Sequence, residues 1–466
     1  MPTIRIDNFS GIMPRIHPTL LPDGCAVTAH NCRLQNGKLV PVREPSAVVG
    51  VQVRSENGLA QIADTQTLYV WHRGDTTELL AWPGIVKVAR GNIADDALHR
   101  LFVTGDTGVG AGTVEPCAYL ASESDTSFTR VSLVKSVLPR ITPDVVSGTS
   151  QVTVSEAADP DNLRYTYFFQ TWFDTWGYES PPSPIVVPDD EVTYNDGNTV
   201  TIGSAPVPSI TAAGRRIYKV VTGAETERIQ FVREQSITAG AETFEEVTFI
   251  VKDEDAGEVI PMIVAPPVDL CWMSFVPGSF YAGFSAANLR NVMFSGVDRP
   301  YSWPDAYVYG VRDDIVGLAV TGNTVFVLTK GYPWAITGTA PESVAPTVLA
   351  SPQGCVSARS ICVYDGRAYY ASADGICMLS ADALNVQVIT EKYFKKTDWA
   401  ALNPSTCIME AYDGALHCWF TLPDGRRQGY IMALGEGLAA VTTHSEQARA
   451  VCYDPVTDGL YFVRVG

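Results

Sequence analysis

The sequence predicts an all-β protein: a six- to seven-bladed β-propeller with an inserted β-sandwich and an extended N-terminal segment. Three observations predict it. A hairpin signature returns through the last two hundred residues, with turn glycines at Gly278, Gly322, Gly366, Gly414 and Gly459, at steps of 44, 44, 48 and 45. Asp-Gly or Gly-Asn between apolar runs is a strong hairpin signal, because tight turns need positive φ, and a hairpin period in the forties is that of propeller blades. The 38 glycines and 30 prolines punctuate many short runs rich in aromatic and β-branched residues. No apolar pattern of period 3.6 is sustained over helix length.

Residues 1–50 are irregular. Asp23 is placed to cap a short helix over Asp23–Asn31, and Asn36-Gly37 turns the chain into Lys38–Val42. With little core of its own, this segment must dock on the rest of the chain or on a neighbour. Residues 51–138 hold two weaker hairpins, around Leu68–Trp71 with Leu79–Trp82 and around Leu98–Val103, read as first blades.

Residues 139–265 break the period. Arg164–Trp172 is dense in strand formers, and Arg216–Val221 and Ile229–Val232 alternate as strands with one wet face do. Gly177–Pro184 is a connection, since its prolines donate nothing to a ladder. Four or more strands in this span predict a small sandwich. Residues 266–466 return to blades, with a short helical candidate at Lys395–Leu402. The final pair, Ala450–Cys452 with Leu460–Val463, reads as half a blade, and strands from residues 38–55 are expected to complete it, since an open propeller exposes edges.

Composition narrows the chemistry. The chain of 466 residues is 46% hydrophobic and 18% charged, with a net charge of −18. That balance argues against gripping nucleic acid through clustered Lys and Arg, yet suits a surface that DNA slides past. No signal peptide is readable at Met1–Asp7, and synthesis in the cytoplasm is the expectation. No apolar run approaches membrane-spanning length. The ten cysteines are scattered without CxxC pairs and read as free thiols.

Motifs that would carry catalysis dissolve on inspection. Ser372-Ala373-Asp374-Gly375 resembles the turn of a sialidase-type box but misplaces the glycine and lacks the tryptophan. Gly105–Gly112 lacks the Lys-Ser/Thr of a phosphate loop. His30-Asn31-Cys32 with Cys25 has no second pair at zinc spacing. Asp189-Asp190-Glu191 and Asp253-Glu254-Asp255 read as solvated loop charges rather than calcium ligands. Trp71, Trp82, Trp272, Trp303, Trp334, Trp399 and Trp419 are spread over the repeats, as packing residues between blades would be. No catalytic, cofactor or metal residues are assigned.

Two stretches carry a resemblance. Phe9-Ser10-Gly11-Ile12, Leu20–Gly24, Ala29-His30-Asn31 and Gly37–Pro41 resemble the N-terminus of virion proteins of short-tailed bacteriophages. Glu179-Ser180-Pro181-Pro182-Ser183-Pro184 with Arg216–Lys219 resembles a fibronectin-III- or immunoglobulin-like module common in phage tails. Propeller, insertion and length together resemble the podovirus tail nozzle, or tail tubular protein B, family. The resemblance implies a structural protein of the virion tail, made in the host bacterial cytoplasm and assembled as a homo-oligomer, a hexameric ring. Its partners would be the portal-adaptor proteins, tail fibres or spikes, and genomic dsDNA that passes through the lumen without specific binding. Candidate channel-lining carboxylates on blade turns are Asp313, Asp314, Asp365 and Asp413. The competing expectation is a tail-tip propeller that binds or cleaves host glycan.

Overall fold

The computed structural model describes the chain except residues 1–8, 36–37, 49–52, 56–57, 60–63, 106–114, 126, 135–137, 144–150, 156–158, 185–189, 210, 223–226, 239, 253–256, 258–262 and 465–466. The protein is all-β: strands dominate, and among the described residues one α-helix is found, Lys396–Ala401, where the sequence placed a helical candidate. Two compact units divide the chain. The first comprises residues 1–130, 268–298 and 306–466, the second residues 131–267 and 299–305.

The first unit is a succession of small open sheets. Sheet A holds Val53–Ser55, Gly58–Leu59, Thr67–Arg73 and Thr76–Trp82; sheet B holds Lys87–Arg90, Leu101–Thr104, Cys117–Leu120 and Thr129–Ser132. Sheet C is Leu270–Val276, Phe280–Ser285, Asn288–Phe294 and Val308–Gly310, and sheet D is Ile315–Thr321, Thr324–Thr329, Trp334–Thr337 and Ala345–Val348. Sheet E is Cys362–Tyr364, Arg367–Ala371, Ile376–Ser380 and Val386–Val388. Sheet F is Ile408–Tyr412, Ala415–Thr421, Arg427–Leu434 and Leu438–His444, and sheet G is the hairpin Ala448–Asp454 with Gly459–Arg464. Sheets C to F are antiparallel meanders, each strand pairing with the next in sequence.

The repeated turns work as their sequences require. Asp365 and Gly366 both have positive φ (49° and 69°), as do Asp413 and Gly414 (47° and 73°). That is the mirror-image turn whose twist matches a right-handed hairpin, and Asp-Gly is one of the few pairs that adopts it cheaply.

Neighbouring sheets share cores in chain order. The strand Lys87–Arg90 of sheet B touches Leu270–Val276 of C, which touches Ile315–Thr321 of D, which touches Cys362–Tyr364 of E. That strand touches Ile408–Tyr412 of F, which touches Ala448–Asp454 of G, and the latter touches Thr67–Arg73 of A. Sheets A and B meet through Trp71, Leu80, Trp82, Leu101, Val103 and Tyr119. Trp71, Trp82, Trp399 and Trp419 are buried between sheets, and each is worth about 3–5 kcal/mol against alanine. Trp272 and Trp334 are only half-buried, and Trp303 belongs to the second unit.

The N-terminal segment departs from expectation. Asp23–Asn31 is not helical: Gly24 has φ +85°, and Cys25–Ala26 is a strand parallel to Gly11–Ile12, which in turn lies parallel to Leu438–His444 at the edge of sheet F. Backbone pairing with an available edge outcompetes a helix too short to be stable alone. The expected completion of the last hairpin by residues 38–55 is not seen among the described residues. Lys38–Pro41 pairs with Cys32–Gln35, and Val53–Ser55 lies parallel to Thr76–Trp82 in sheet A. Sheet G instead keeps two strands and gains its stability through its faces, Ala450, Cys452, Tyr461 and Val463 against Leu68, Val70, Leu79 and Ala81.

In the second unit two sheets face one another. Thr142–Pro143, Gln151–Val154, Thr199–Ile202 and Val247–Ile250 form one; Phe168–Asp174, Ala212–Thr222 and Glu227–Ser236 form the other. Val152, Val200 and Ile202 from the first meet Phe168 and Ile217 from the second. The proline-rich stretch solves its donor shortage with serines. Ser180 and Ser183 donate their N–H groups to the carbonyls of Trp172 and Gln170, while their hydroxyls accept the N–H groups of the same two residues. A chain without its own ladder thus satisfies an edge strand.

Candidate functional site

The four carboxylates singled out from the sequence do not form one cluster. Asp313 and Asp314 precede the first strand of sheet D, whereas Asp365 and Asp413 follow the first strands of sheets E and F, at the other end of the repeat. Asp313 Oδ2 accepts the Tyr332 N–H at 3.2 Å. Asp314 is paired with Arg290 Nε at 3.1 Å and Lys330 Nζ at 3.3 Å, and hydrogen bonds from those two groups hold its carboxyl below the usual range. Asp413 is paired with Arg33 of the N-terminal segment. Asp365 is exposed, and among the described residues its carboxylate has no ion-pair or side-chain hydrogen-bond partner.

The other motifs settle into structural roles. The Ser372–Gly375 turn is closed by Ser372 N–H to Gly375 O at 2.8 Å, and Asp374 is paired with Lys396 Nζ at 3.0 Å. Asp190 is buried 3.6 Å from Arg140, while Asp253–Asp255 and most of Gly105–Gly112 lie outside the described residues. All ten cysteines are free. Among the described residues no three His, Cys, Asp or Glu side chains stand together as a metal site, and no helix is long and apolar enough to cross a membrane.

The structure brings together three constellations that sequence reasoning missed. The first is a cavity of about 750 Å³ lined by residues of sheets A and B, among them Trp71, His72, Arg90, Asp95, His99 and Glu123. Asp95 and His99 hold left-handed backbones, φ +54° and +43°, which presents a polar rim. His72 is committed inside it, with Nδ1 3.1 Å from Thr77 Oγ1 and Nε2 2.9 Å from Asp454. His99 Nε2 stands 3.9 Å from Glu123.

The second is a charged group on the mutually touching strands. Lys87 of sheet B lies 5.8 Å from the ring of Trp272 of sheet C. Trp272 has φ +58°, a strained backbone for a bulky residue, and donates its indole N–H to Leu318 O at 2.7 Å. Burial lowers the Lys87 pKa and raises that of Glu410, on sheet F, to about 7; the two groups attract one another, which opposes both shifts.

The third lies under the N-terminal strap. Residues 9–35 run along the edge of sheet F: Val441 N–H donates to Ser10 O, Thr443 N–H to Ala29 O and Asn31 N–H to Thr443 O at 2.7–3.2 Å. A Cβ on Gly11 would meet Val441 O at 1.9 Å, so only glycine permits this approach. Beneath the strap His417 and His444 are buried, their rings 6.3 Å apart with Trp419 against both. Burial pushes His417 down to about 3 and His444 to about 4, helped on the former by the charges of His444 and Arg33 and on the latter by His30. His444 Nε2 is buried without a hydrogen-bond partner among the described residues. The signal available in sequence was a histidine inside the apolar run Ala415–Phe420; its mate in the adjoining strand cannot be read without the register.

No protein-family model matches the chain, and no curated protein matches its sequence. Among solved structures it is similar to BBS1N in complex with ARL6DN, with 11% identity and a TM-score of 0.25 over 55% of this chain and 79% of that one. It is also similar to KlHsv2 with loop 6CD replaced by a Gly-Ser linker, with 11% identity and a TM-score of 0.24 over 53% of this chain and 94% of that one. A third likeness is to the extracellular domain of a one-component system from B. thetaiotaomicron, with 11% identity and a TM-score of 0.30 over 91% of this chain and 70% of that one. Likeness at these scores assigns neither a family nor an activity.

Proposed function

We propose that the chain is a non-enzymatic structural protein, the nozzle or hub of a short-tailed phage tail, built on a seven-bladed propeller with a fibronectin-III-like insertion. The observation that carries this reading is the succession of sheets A to G, whose contacts run in chain order and return from G to A. Sheet G then serves as a reduced, two-stranded blade. Such a body is a rigid wedge, and copies of it enclose a channel through repeated head-to-tail contacts. The net charge of −18 favours a wall that DNA passes without adsorbing. The resemblance of stretches within residues 9–41, and of residues 179–184 with 216–219, to phage tail proteins supplies the biological setting.

Mass measurement of the purified protein in solution, alone and mixed with portal-adaptor components, tests the reading. A ring of about six copies, alone or templated, supports it; a strict monomer that ignores those components removes it. Asp365 is the best probe of the lumen, because Asp313, Asp314 and Asp413 already have partners. Asp365→Lys is expected to slow DNA release with assembly intact, and unchanged infection kinetics would remove Asp365 from the lumen.

A second reading has one specific observation in its favour. The cavity between sheets A and B, with its carboxylates, histidines and Arg90, suits a polyhydroxylated ligand and hence a glycan-binding or glycan-cleaving tail-tip protein. Release of reducing sugar from host polysaccharide, lost in Glu123→Gln, would favour it.

A further inference from the structure

Three of the chain's six histidines meet at the interface between the N-terminal strap and sheet F: His30 on the strap, and His417 and His444 beneath it. We propose that this cluster is an acid-operated latch, which holds residues 9–35 on sheet F while its imidazoles are neutral and releases them as the imidazoles take up protons.

The geometry makes the docked state intolerant of an imidazolium. His444 and His417 are 5% and 9% exposed, Trp419 covers both, and the Gly429 backbone closes on His444 so tightly that a Cβ there would lie 2.7 Å from Nε2. A proton added to Nε2 finds no acceptor among the described residues. Among the groups around the cluster, Glu410 stands opposite His417 in the neighbouring strand; burial raises its pKa to about 7, toward the neutral acid, and its Oε1 already accepts the Ala411 N–H. The strap contributes His30 and the cation Arg33, and sheets F and G contribute the phenols Tyr412 and Tyr453. The carboxylates on the flanking turns are already engaged, Asp413 by Arg33 and Glu446 by Arg464 at 3.2 Å.

The strap can leave without dismantling the sheet. Its bonds to the sheet edge, including Thr442 Oγ1 to Cys32 O at 2.7 Å, Ser445 N–H to Asn31 Oδ1 at 2.9 Å and His30 Nδ1 to Thr443 Oγ1 at 3.0 Å, fall on residues 441–445; away from that edge the strap is held by Arg15 N–H to Tyr393 O at 2.8 Å, by the Arg33–Asp413 pair and by Met13, buried in the core of sheets E and F. The strand Leu438–His444 keeps its ladder to Arg427–Leu434 when they are lost. Direction follows from linkage: the docked state binds fewer protons than the open one, so docking is strongest above about pH 6.5, the ordinary histidine value, and weakens as pH falls. Each histidine that charges only in the open state raises the open population about tenfold per pH unit, so two raise it about a hundredfold.

Hydrogen exchange of the full chain between pH 7.5 and 4.5, corrected for intrinsic rates and read by peptide, tests the latch. The expected result is a loss of protection confined to residues 9–35 and 438–445, steepening below pH 6.5, with sheet D unchanged as internal reference. In the double variant His417→Gln, His444→Gln the strap's protection should no longer depend on pH. Where that variant fails to fold, Trp419 carries the second readout in the wild type, since an imidazolium quenches a stacked indole. Fluorescence should then fall over the same pH interval as the strap's protection. A strap whose protection is independent of pH, or one lost only together with the rest of the unit, overturns the proposal.

Discussion

The Arg215 and Glu179 network of the second unit and the His417–His444 cluster of the first bury polar groups by different means. The second unit builds polar side chains into its core and satisfies them. Arg215 is fully buried, yet it donates to Gln235 Oε1 at 2.7 Å, Gln170 Oε1 at 3.0 Å, Gly203 O at 2.9 Å and Glu245 O at 2.7 Å. Glu179 accepts from Thr171, Tyr218 and Arg216, while its backbone N–H donates to Tyr301 Oη. Burial still lowers the Arg215 pKa, to about 10. The first unit pairs some of its buried ionisable groups, Arg73 with Glu78 at 2.9 Å and Asp454 with His72 at 2.9 Å, but at His417, His444 and Glu410 burial shifts the groups toward neutrality. A satisfied network is insensitive to pH near neutrality, and a desolvated group is not. The Arg215 and Glu179 network therefore depends on geometry, and the His417–His444 cluster on protonation.

The contrast can be broken or sharpened by substitution. The largest expected effect is Arg215→Met, which takes the guanidinium donors away from Gln235 Oε1, Gln170 Oε1, Gly203 O and Glu245 O and should cost about 3 kcal/mol or more by denaturant unfolding; a loss below about 1 kcal/mol would show that water replaces the guanidinium. Trp399→Ala follows at about 3 kcal/mol, since it empties a core site and strands Ser372 O, the acceptor of the indole N–H at 2.9 Å. Gly414→Ala should cost about 1–2 kcal/mol from backbone strain alone, because a Cβ there meets nothing within 4 Å. If its cost matched a substitution in a φ-negative turn, the mirror-image turn would be the wrong description. The smallest effect belongs to Asp314→Asn, on an exposed pair, which should be detectable at low salt and vanish near about 0.15 M.

Much of the first unit was legible before any coordinates. The spacing of Gly322, Gly366 and Gly414 located three hairpins, because a turn needing positive φ leaves a residue-type signature. The free thiols and the short helix at Lys396–Ala401 were readable for similarly local reasons. The N-terminal segment was not. Its backbone donors could be satisfied by a helix or by an edge four hundred residues away, and only the presence of Leu438–His444 chose the edge. The candidate carboxylates illustrate the same limit. Asp313, Asp314, Asp365 and Asp413 all stood on turns, but which had a cation beside it depended on Arg290, Lys330 and Arg33, remote in sequence.

Local backbone chemistry, then, was determined by the sequence itself: strand periodicity, turn type, the shortage of donors in Ser180–Pro184 and the small fraction of charged residues. These are properties of neighbours along the chain, set by φ/ψ limits and solvation. Tertiary structure alone decided what faces what. Whether a histidine is a solvated base or a desolvated one, as at His417, depends on strands that share no sequence neighbourhood with it. Burial and Coulomb interaction act through space, and only the folded chain specifies that space.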